Sequence, residues 1–460
     1  QQEAITPSMG ELAQRYWGSF VVCTVICAAL LLYSSKTGKN EQKKNAVEAL
    51  SRKQFIRFQI NYLFVYTLAI ASDWLQGAYV YQLYHSYGFE QYEIAKLFVG
   101  GFGSSLVVGT FVGGLADKEG RKKMCFLYGL CYIVSCLTKI SRHYWVLMVG
   151  RILGGVATSL LFSVFESWMV SEHQRRGFDR TWMRDTFAYS TFGDGIVAVL
   201  SGLVGNAAVA RFGLVAPFMV AIVPSVLACT VIAATWVENY GARDEPVLAA
   251  FRRAGALVAQ DRRLVALGLA QALYEGAMYV FVFMWTPALH EGGGSGGGGG
   301  ASEEESVDDY LGVIFAAFMV AVMAGSALFK IGCAAGGDEA VYLAPLYLHA
   351  AALVSQGAAA FFLEQKAVVY LAFLAFEVTV GAFYPCYGTI KAEQVPEEVR
   401  SAAMSLFRVP LNAFVMALLL RLRGLAPGAV FLLCAAMHAG ALACYLYFHA
   451  TRPEGGAVGG

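Results

Sequence analysis

The segment VAPFMVAIVPSVLACTVIAATW at 215–236 contains no charged residue. A run of about 20 apolar residues forms a helix long enough to cross the hydrocarbon core of a bilayer. The rest of the chain has a matching composition, since 57% of its 460 residues are hydrophobic and only 15% are charged. A water-soluble domain usually has about 25% charged residues. The sequence therefore predicts an all-α polytopic membrane protein.

Composition also excludes several other functions. The chain has 34 Lys and Arg against 33 Asp and Glu, so its net charge of +1 offers no basic field for nucleic acid. The ten cysteines lie mostly inside apolar segments and show no metal-ligand spacing, which argues against a metal site or a disulfide framework. We find no nucleophile–base pair and no cofactor motif. We expect no enzyme activity, no cofactor and no metal.

Thirteen apolar segments have the length of membrane helices. The first stands apart, because the polar stretch 34–56 follows it, and the other twelve divide six and six around the charged linker 237–263. The predicted spans lie at 17–33, 57–81, 92–115, 124–141, 144–169, 187–210, 214–236, 264–286, 310–330, 341–362, 367–389, 401–421 and 427–449.

These spans predict five parts of the chain. They are an extra N-terminal helix with a basic cytoplasmic segment (1–56), an N-terminal six-helix bundle (57–236), a linker (237–263), a C-terminal six-helix bundle (264–450) and a cytoplasmic tail (451–460). Within the linker, 248–264 has apolar residues at helical spacing with arginines opposite, which is typical of an interfacial helix. The Gly-rich, acidic loop 290–309 is predicted to be a disordered external tether with no role in the chemistry.

Lysine and arginine are concentrated on one side of the predicted membrane. They cluster in the loops at 118–123 and 175–184 and in the linker. Cytoplasmic loops of membrane proteins carry such an excess. The sequence thus predicts a multi-pass plasma-membrane protein with the linker and the C-terminus in the cytoplasm and the extreme N-terminus outside.

The loop GGLADKEGRKK at 113–123 carries the most specific local pattern. It predicts a close helix contact at its first glycine, an aspartate paired across a helix end, a tight turn at its last glycine and positive charge after the turn. The pattern resembles the signature loop between helices 2 and 3 of the major facilitator superfamily, and GRILGG at 150–155 resembles the arginine motif of its helix 4. The resemblance assigns a gating role to Gly113, Asp117, Gly120, Arg121 and Lys122.

The corresponding loop in the second half, GSALFKIGCAAGGDE at 325–339, lacks the aspartate of this pattern. The gating pair is therefore expected only in the N-terminal half.

Longer strings point to one branch of that superfamily. They are ASDWLQGAYVYQLY (71–84), LLFSVFESW (160–168), QALYEGAMYVFVFMWTP (271–287) and LFRVPLN (406–412). They are similar to the molybdate-anion transporter family, the major facilitator domain-containing protein 5 type. The resemblance covers most of 55–450, including the extra N-terminal helix. It implies two six-helix bundles and uptake of molybdate, a tetrahedral dianion, but leaves the coupling ion open.

Charged residues inside the predicted spans are unevenly distributed among the twelve core helices, numbered here from residue 57. Helices 3, 6, 9 and 12 carry no mid-span acid, lysine or arginine, whereas helices 1, 4, 7 and 10 do. Charges in hydrocarbon are costly and usually face a bundle interior or a wet cavity. In the superfamily fold, helices 1, 4, 7 and 10 line the central cavity. This distribution favours an alternating-access transporter.

The candidate substrate-binding residues are led by two arginines. A guanidinium offers a fork of donors to a tetrahedral oxyanion, so Arg408 is the predicted anchor and Arg151 the second cation. Asn412 lies one helical turn after Arg408. Trp74 beside the first-helix acid and Tyr384 beside a proline break complete the set.

Four carboxylates are candidates for proton coupling or for ion pairs: Asp73, Glu166, Glu275 and Glu377. They are unfavourable for a dianion unless they are paired or protonated, which suggests the hypothesis of proton symport. Asp73 and Arg151 lie at depths that allow them to pair. Glu166 is roughly 22 Å from Arg151 along the same helix and is expected near the cytoplasmic mouth. The alternative reading of each charge is an ion pair that only holds the bundle together.

Two alternative functions stay open. One is a major facilitator carrier for another oxyanion, a sugar or an organic cation, which a competition uptake panel separates from molybdate transport. The other is a non-transporting membrane sensor with the same fold, which binds ligand without flux.

Overall fold

The computed structural model describes residues 11–36, 46–241, 247–290, 306–395, 400–421 and 425–452, and these are almost entirely helical. The helices up to the linker are α1 (Glu11–Lys36), α2 (Ala46–Gly77), α3 (Val80–Ser86), α4 (Gln91–Glu119), α5 (Arg121–Thr138), α6 (Tyr144–Arg175), α7 (Arg180–Phe212) and α8 (Ala216–Thr235). Those from the linker onward are α9 (Val247–Gln260), α10 (Arg262–Leu289), α11 (Leu311–Phe361), α12 (Lys366–Gln394), α13 (Arg400–Arg421) and α14 (Pro427–Ala450), and a 3-10 turn at Val307–Tyr310 precedes α11.

The helices carry apolar surface where a soluble protein would carry polar surface. In the described ranges, ten helical segments are long and apolar enough to cross a membrane. Val25 on α1 and Val223 on α8 are 64% and 58% exposed. Lipid accepts such side chains whereas water does not, so the prediction of a polytopic helical membrane protein is confirmed.

One predicted span is interrupted in the structure, and two others are connected more closely than expected. The span predicted at 57–81 is interrupted, because α2 ends at Gly77 and the separate short helix α3 begins at Val80. The spans predicted at 310–330 and 341–362 are two helical segments of α11, which meet at a kink where Gly337 leaves helical geometry with φ of 63°. Glycine adopts this backbone conformation without steric cost, so the connection between the two segments is confined to this kink. The interfacial helix expected at 248–264 corresponds to α9.

Small residues bring α11 and α12 into close contact. A Cβ atom at Gly381 would overlap the carbonyl group of Val322, and one at Gly325 would overlap that of Val378. Helices in membranes associate through such close backbone approach, because lipid offers no hydrophobic driving force between them. The two glycines therefore set the spacing of this helix pair.

The extra helix α1 packs against the C-terminal half. Tyr16 is fully buried against Tyr310 and Tyr370, with ring centroids 5.7 and 5.1 Å apart. The hydroxyl groups of Ser19 and Tyr370 lie 2.8 Å apart. Near the middle of α1, Cys27 joins a small apolar cluster with α11. Although it precedes the N-terminal half in sequence, α1 is part of the outer surface of the other half.

The helix ends define two sides of the molecule. We call the side that carries the segment between α8 and α10 the linker side, and the α4–α5 turn lies there too. The opposite side, which we call the far side, carries α3, the turn between α5 and α6, and the 3-10 turn before α11.

Candidate functional site

Aromatic rings join the two halves on the far side. Phe283 of α10 contacts Tyr81 of α3 and Phe98 of α4, with ring centroids 5.4 and 5.2 Å apart. Tyr279, one turn earlier on α10, contacts Phe102 at 5.1 Å. We call these five residues the far-side seal. They close the space between the halves on this side.

A hydrogen bond and a close helix contact reinforce the seal. The Gln82 amide donates to the Asp308 carboxylate at 2.7 Å. A Cβ atom built on Gly202 of α7 would lie 2.6 Å from the carbonyl oxygen of Gly312 of α11, so the two backbones touch. Asp308 falls in the segment 290–309, which was predicted to be a disordered tether with no role in the chemistry. The described residues 306–309 instead include the start of a 3-10 turn, and Asp308 contacts α3.

The linker side contains a cavity of about 420 Å³ within the N-terminal half. Glu166 of α6 and Arg121 of the signature loop line this cavity. Its walls consist of Arg121, Glu166, Ser167, Val170, Ser171, Gln174, Tyr240 and Gly241. Glu166 is thus placed at the linker-side end of α6, far along the helix from Arg151.

The acids of α2 and α7 bind to neighbouring aromatic residues. The indole Nε1 of Trp74 donates to Asp194 Oδ1 at 2.6 Å, which links α2 to α7. The Tyr132 hydroxyl donates to Asp73 Oδ1 at 3.3 Å, and Gln76 donates to the same hydroxyl. The only hydrogen-bond donor of the Trp74 side chain is therefore engaged by Asp194. Asp194 is a partner that the sequence did not indicate.

Arg151 has no carboxylate within 4 Å in the described part of the chain. Its Nε donates weakly to the Leu97 carbonyl at 3.4 Å, and its guanidinium lies 4.6 Å from the ring centroid of Phe98. The ion pair with Asp73 that the sequence allowed is not formed. Arg151 instead stacks on a residue of the far-side seal.

Lys139 is a second buried cation, and sequence reasoning missed it. It follows α5 on the far side, and only 1% of its surface is exposed. Its Nζ donates to the Tyr84 hydroxyl at 2.5 Å. Its position inside the apolar segment predicted at 124–141 was the available signal.

The C-terminal half holds its two candidate acids in buried positions. Glu275 is 5% exposed and accepts a hydrogen bond from Gln271 at 2.9 Å. The Gln271 side-chain oxygen accepts one in turn from Lys391 Nζ at 3.0 Å. Glu377 is 6% exposed and has no hydrogen bond or ion pair with any residue that the structure describes. Both acids therefore lie away from water on α10 and α12.

Three further candidates belong to this half: Tyr384, Arg408 and Asn412. Tyr384 is 48% exposed, and its hydroxyl lies 3.5 Å from the Met278 sulfur of α10. Arg408 and Asn412 lie in α13, which packs against α4 and α10. Their side chains lie outside the described part of the structure, so their roles stay predictions.

The signature loop joins α4 to α5 through an ion pair. Arg121 Nη2 lies 2.6 Å from Asp117 Oδ1, and the Gly241 amide donates to the Asp117 carbonyl at 3.1 Å. Gly120 has φ of 107°, which favours glycine at this turn. The expected pair across the helix end is present, and both of its partners lie in the N-terminal half.

Glu238 holds the loop from the other side and was not found from the sequence. Its carboxylate accepts hydrogen bonds from the amides of Lys122 and Lys123 at 2.8 and 3.1 Å. An acid at this position stabilises the positive end of the α5 dipole. The close contact expected at Gly113 is not formed here, because a Cβ atom there would meet nothing within 4 Å. Lys122 Nζ donates to the Ala233 carbonyl at 3.1 Å.

The described residues include no group of three or more His, Cys, Asp or Glu placed to hold a metal ion. What they do provide is separated cations, carboxylates and hydroxyl groups around closely packed helices. Such groups bind and release a charged solute by electrostatic attraction and hydrogen bonding.

Comparison with known proteins identifies the family. Residues 15–381 match the family model described as "Sugar-transporters, 12 TM". The chain is 33% identical over 399 residues to the molybdate-anion transporter of Xenopus tropicalis, covering 84% of this chain and 82% of the relative. It is 33% identical over 441 residues to that of Danio rerio, covering 88% and 87%.

A solved structure confirms the fold. The peptide transporter POT in complex with sulfate superposes with a TM-score of 0.64 at 15% identity, covering 86% of this chain and 94% of that one. Two six-helix bundles with an additional N-terminal helix are therefore a major facilitator fold. The extent and identity of these matches establish that the chain belongs to the molybdate-anion transporter family of the major facilitator superfamily.

Proposed function

We propose that this chain imports molybdate by alternating access. The observation that carries the proposal is the match to proteins named molybdate-anion transporters over more than four-fifths of the chain. The far-side seal supports it, because a carrier that rocks between two open states must close one side at a time. The described structure corresponds to the state that is closed toward the far side. The protein is a transporter and not an enzyme.

The proposal includes an orientation. The linker and the C-terminus face the cytoplasm, the extreme N-terminus lies outside, and the protein resides in the plasma membrane. The basic loops at 118–123 and 175–184 support this assignment. The far side is then the extracellular side, and the structure is closed to the outside. The two six-helix bundles are proposed to comprise residues 57–236 and 264–450.

The substrate site is proposed between the bundles. Arg408 and Arg151 supply positive charge, and Asn412 and Tyr384 supply hydrogen-bond donors. Trp74 contributes a wall of the site, since its N–H group is engaged by Asp194.

Reconstituted uptake is the direct test. Purified protein in proteoliposomes should accumulate molybdate, measured by mass spectrometry, and protein-free liposomes serve as the control. If the protein binds molybdate but produces no flux, it is a sensor instead of a carrier. If it neither binds nor transports molybdate, the proposed substrate is wrong.

Proton symport is the coupling we expect. Glu377 is buried and has no partner among the described residues, and Glu275 is buried beside Gln271. A dianion meets less repulsion once a nearby carboxylate takes up a proton. Asp73 and Glu166 are further candidate acids, and both lie in the N-terminal half. Uptake should therefore rise as the external pH falls and should carry protons inward. A pH-independent rate without proton movement would exclude this coupling.

The Asp117→Asn variant should slow transport while largely preserving molybdate binding. The substitution removes the negative charge that pairs with Arg121 at 2.6 Å, and this loop is expected to change partners between conformations. Binding by the purified variant and its turnover in proteoliposomes are to be compared with the wild type. Lys118→Gln is the control, because it removes a charge from the same loop without breaking the pair. A fall in binding and turnover by the same factor would refute the gating role of Asp117.

A second candidate function is sugar transport. It is favoured by one observation: the family model that matches residues 15–381 carries the description "Sugar-transporters, 12 TM". Competition separates the two functions. If the proposal is correct, unlabelled tungstate or molybdate reduces molybdate uptake and sugars do not.

A further inference from the structure

Two cations lie close together on the far side of the N-terminal half. Lys139 follows α5 and Arg151 belongs to α6, and the two helices are joined there by a 2.7 Å hydrogen bond from Ser135 to the Gly150 carbonyl. Arg151 acts electrostatically on both Lys139 and the Tyr84 hydroxyl. Within the described residues, no carboxylate lies within 4 Å of either cation. Asp73 interacts electrostatically with Arg151 but makes no direct ion pair with it, so neither cation has a direct carboxylate partner among these residues.

The burial of Lys139 has an energetic cost. The side chain is 1% exposed, and its partners are the Tyr84 hydroxyl at 2.5 Å and the Tyr84 ring, 5.0 Å to its centroid. A hydroxyl group and a ring face replace only part of the hydration of an ammonium ion. An apolar side chain would serve stability better in this position. A functional reason for the lysine is therefore required.

The contacts that close the far side also cover these cations. Tyr84 lies on α3, whose Tyr81 touches Phe283 of the other half. Arg151 stacks on Phe98, which touches Phe283 as well. When the halves separate on this side, both covering groups lose their contact with α10. Without those α10 contacts, Tyr84 and Phe98 would be free to move off the cations, which would expose Lys139 and increase the exposure of Arg151.

We propose that Lys139, Arg151 and Tyr84 form an oxyanion site that is accessible only while the far side is open. The ammonium group, the forked guanidinium and the hydroxyl offer charge and several donors to a tetrahedral dianion. The inference rests on the proposed function, since the oxyanion is molybdate. It extends the proposed substrate site from Arg151 toward the far side, so that Lys139 and Tyr84 meet the oxyanion before it reaches Arg408. When the far side closes, Lys139 releases the oxyanion and donates its hydrogen bond to the Tyr84 hydroxyl instead.

Transport kinetics measured from each side test the site. In Lys139→Gln, the KM for molybdate presented from the far side should rise about tenfold or more, as expected when a charge-assisted hydrogen bond is lost. The KM measured from the linker side should change less than about twofold, because the site is covered in that state. Lys139→Arg should restore most of the far-side affinity. Tyr84→Phe, which keeps the ring, should raise the far-side KM by a smaller factor.

Lys96→Gln is the matched control. Lys96 also lies over a tyrosine ring, 4.2 Å from the centroid of Tyr92, but it is only partly buried. Its far-side KM should equal that of the wild type.

Three outcomes overturn the site: a normal far-side KM in Lys139→Gln, equal KM changes from both sides, or no rescue by arginine. If Lys139→Gln does not fold, Tyr84→Phe tests the site instead. Its KM should then rise for molybdate presented from the far side and stay unchanged for molybdate presented from the linker side, while Lys139→Arg should keep most of the far-side affinity. A wild-type protein without molybdate flux refutes the proposed function instead, which separates the two failures.

Discussion

Replacing Arg408 with alanine is expected to abolish molybdate uptake. Arg408 lies within α13, a helix that packs against both α4 and α10 and so reaches both halves. A lone guanidinium at this depth is costly unless it is paired or faces a wet cavity. Pro410, two residues later, removes one backbone donor from the helix, which loosens its hydrogen-bond ladder. Asn412 adds donors one turn along. We therefore expect charge and hydrogen-bond donors to converge there on a bound dianion.

Conservative replacement separates charge from geometry at this position. Arg408→Lys keeps the charge but loses the fork, so molybdate affinity should fall about 10- to 150-fold, as expected for one charge-assisted hydrogen bond of ~1.5–3 kcal/mol. Arg421→Ala is the control, because it removes an exposed arginine from the end of the same helix. Uptake and binding are to be measured on variants that reach the membrane in equal amounts. If Arg408→Ala transports normally, the residue is a structural ion-pair partner and Arg151 becomes the main anchor.

Gly202→Val should stop transport by holding the far side open. A Cβ atom at Gly202 would lie 2.6 Å from the Gly312 carbonyl oxygen and 3.1 Å from the Ala316 amide nitrogen. A valine in this space costs about 1–3 kcal/mol, which shifts a two-state equilibrium about 5- to 150-fold. The penalty applies only to the state in which α7 and α11 touch. Uptake should fall by that factor, while molybdate binding from the far side persists.

The accessibility of the seal tests this explanation. A cysteine placed at Tyr81 should react faster with an impermeant maleimide from the far side when Gly202→Val is also present. Gly332→Val is the matched control, because a Cβ atom at that position of α11 meets nothing within 4 Å. Unchanged labelling together with lost transport would show that the valine damages the fold and does not block closure. Normal transport would show that the α7–α11 contact is not needed for closure.

Together, the proposed sites describe a path for the anion. Lys139 and Arg151 lie on the far side, behind the seal, and Arg408 lies deeper in the other half. The acids Asp73 and Asp194 are bound to Tyr132 and Trp74 and not to these cations. Among the described residues, neither Lys139 nor Arg151 has a carboxylate within 4 Å, although Arg151 interacts electrostatically with Asp73. We therefore expect both cations to be available to a dianion without the loss of a direct salt bridge.

Much of the fold was predictable because it depends on local composition. Each of the thirteen predicted spans overlaps a helix, and the interfacial helix appears as α9. The turn at Gly120 and the Asp117–Arg121 pair followed from spacing alone, since both are local to one loop. The break after Gly77 was missed because α3 is as apolar as the helix before it. The spans at 310–330 and 341–362 were found as two helical segments, and only the connection differed from expectation, because it is a kink at Gly337 and not a longer loop.

Contacts between distant segments were not predictable in the same way. The buried Lys139 donates its hydrogen bond to Tyr84, which lies 55 positions earlier in the chain. The Trp74–Asp194 hydrogen bond and the support of the signature loop by Glu238 join residues more than 100 positions apart. Hydrophobic periodicity reports which face of a helix is apolar, but it does not report which helix lies opposite.

The sequence by itself determined that this is a helical membrane protein, approximately where its spans lie, and which residues carry charge into the bilayer. These properties follow from the cost of transferring each side chain into hydrocarbon, which depends on local composition. Only the tertiary structure decided which of these charges are neighbours, which are covered, and which side of the molecule is closed. Those properties depend on how the helices rotate and approach one another, and close contacts such as that of Gly202 with Gly312 determine this approach.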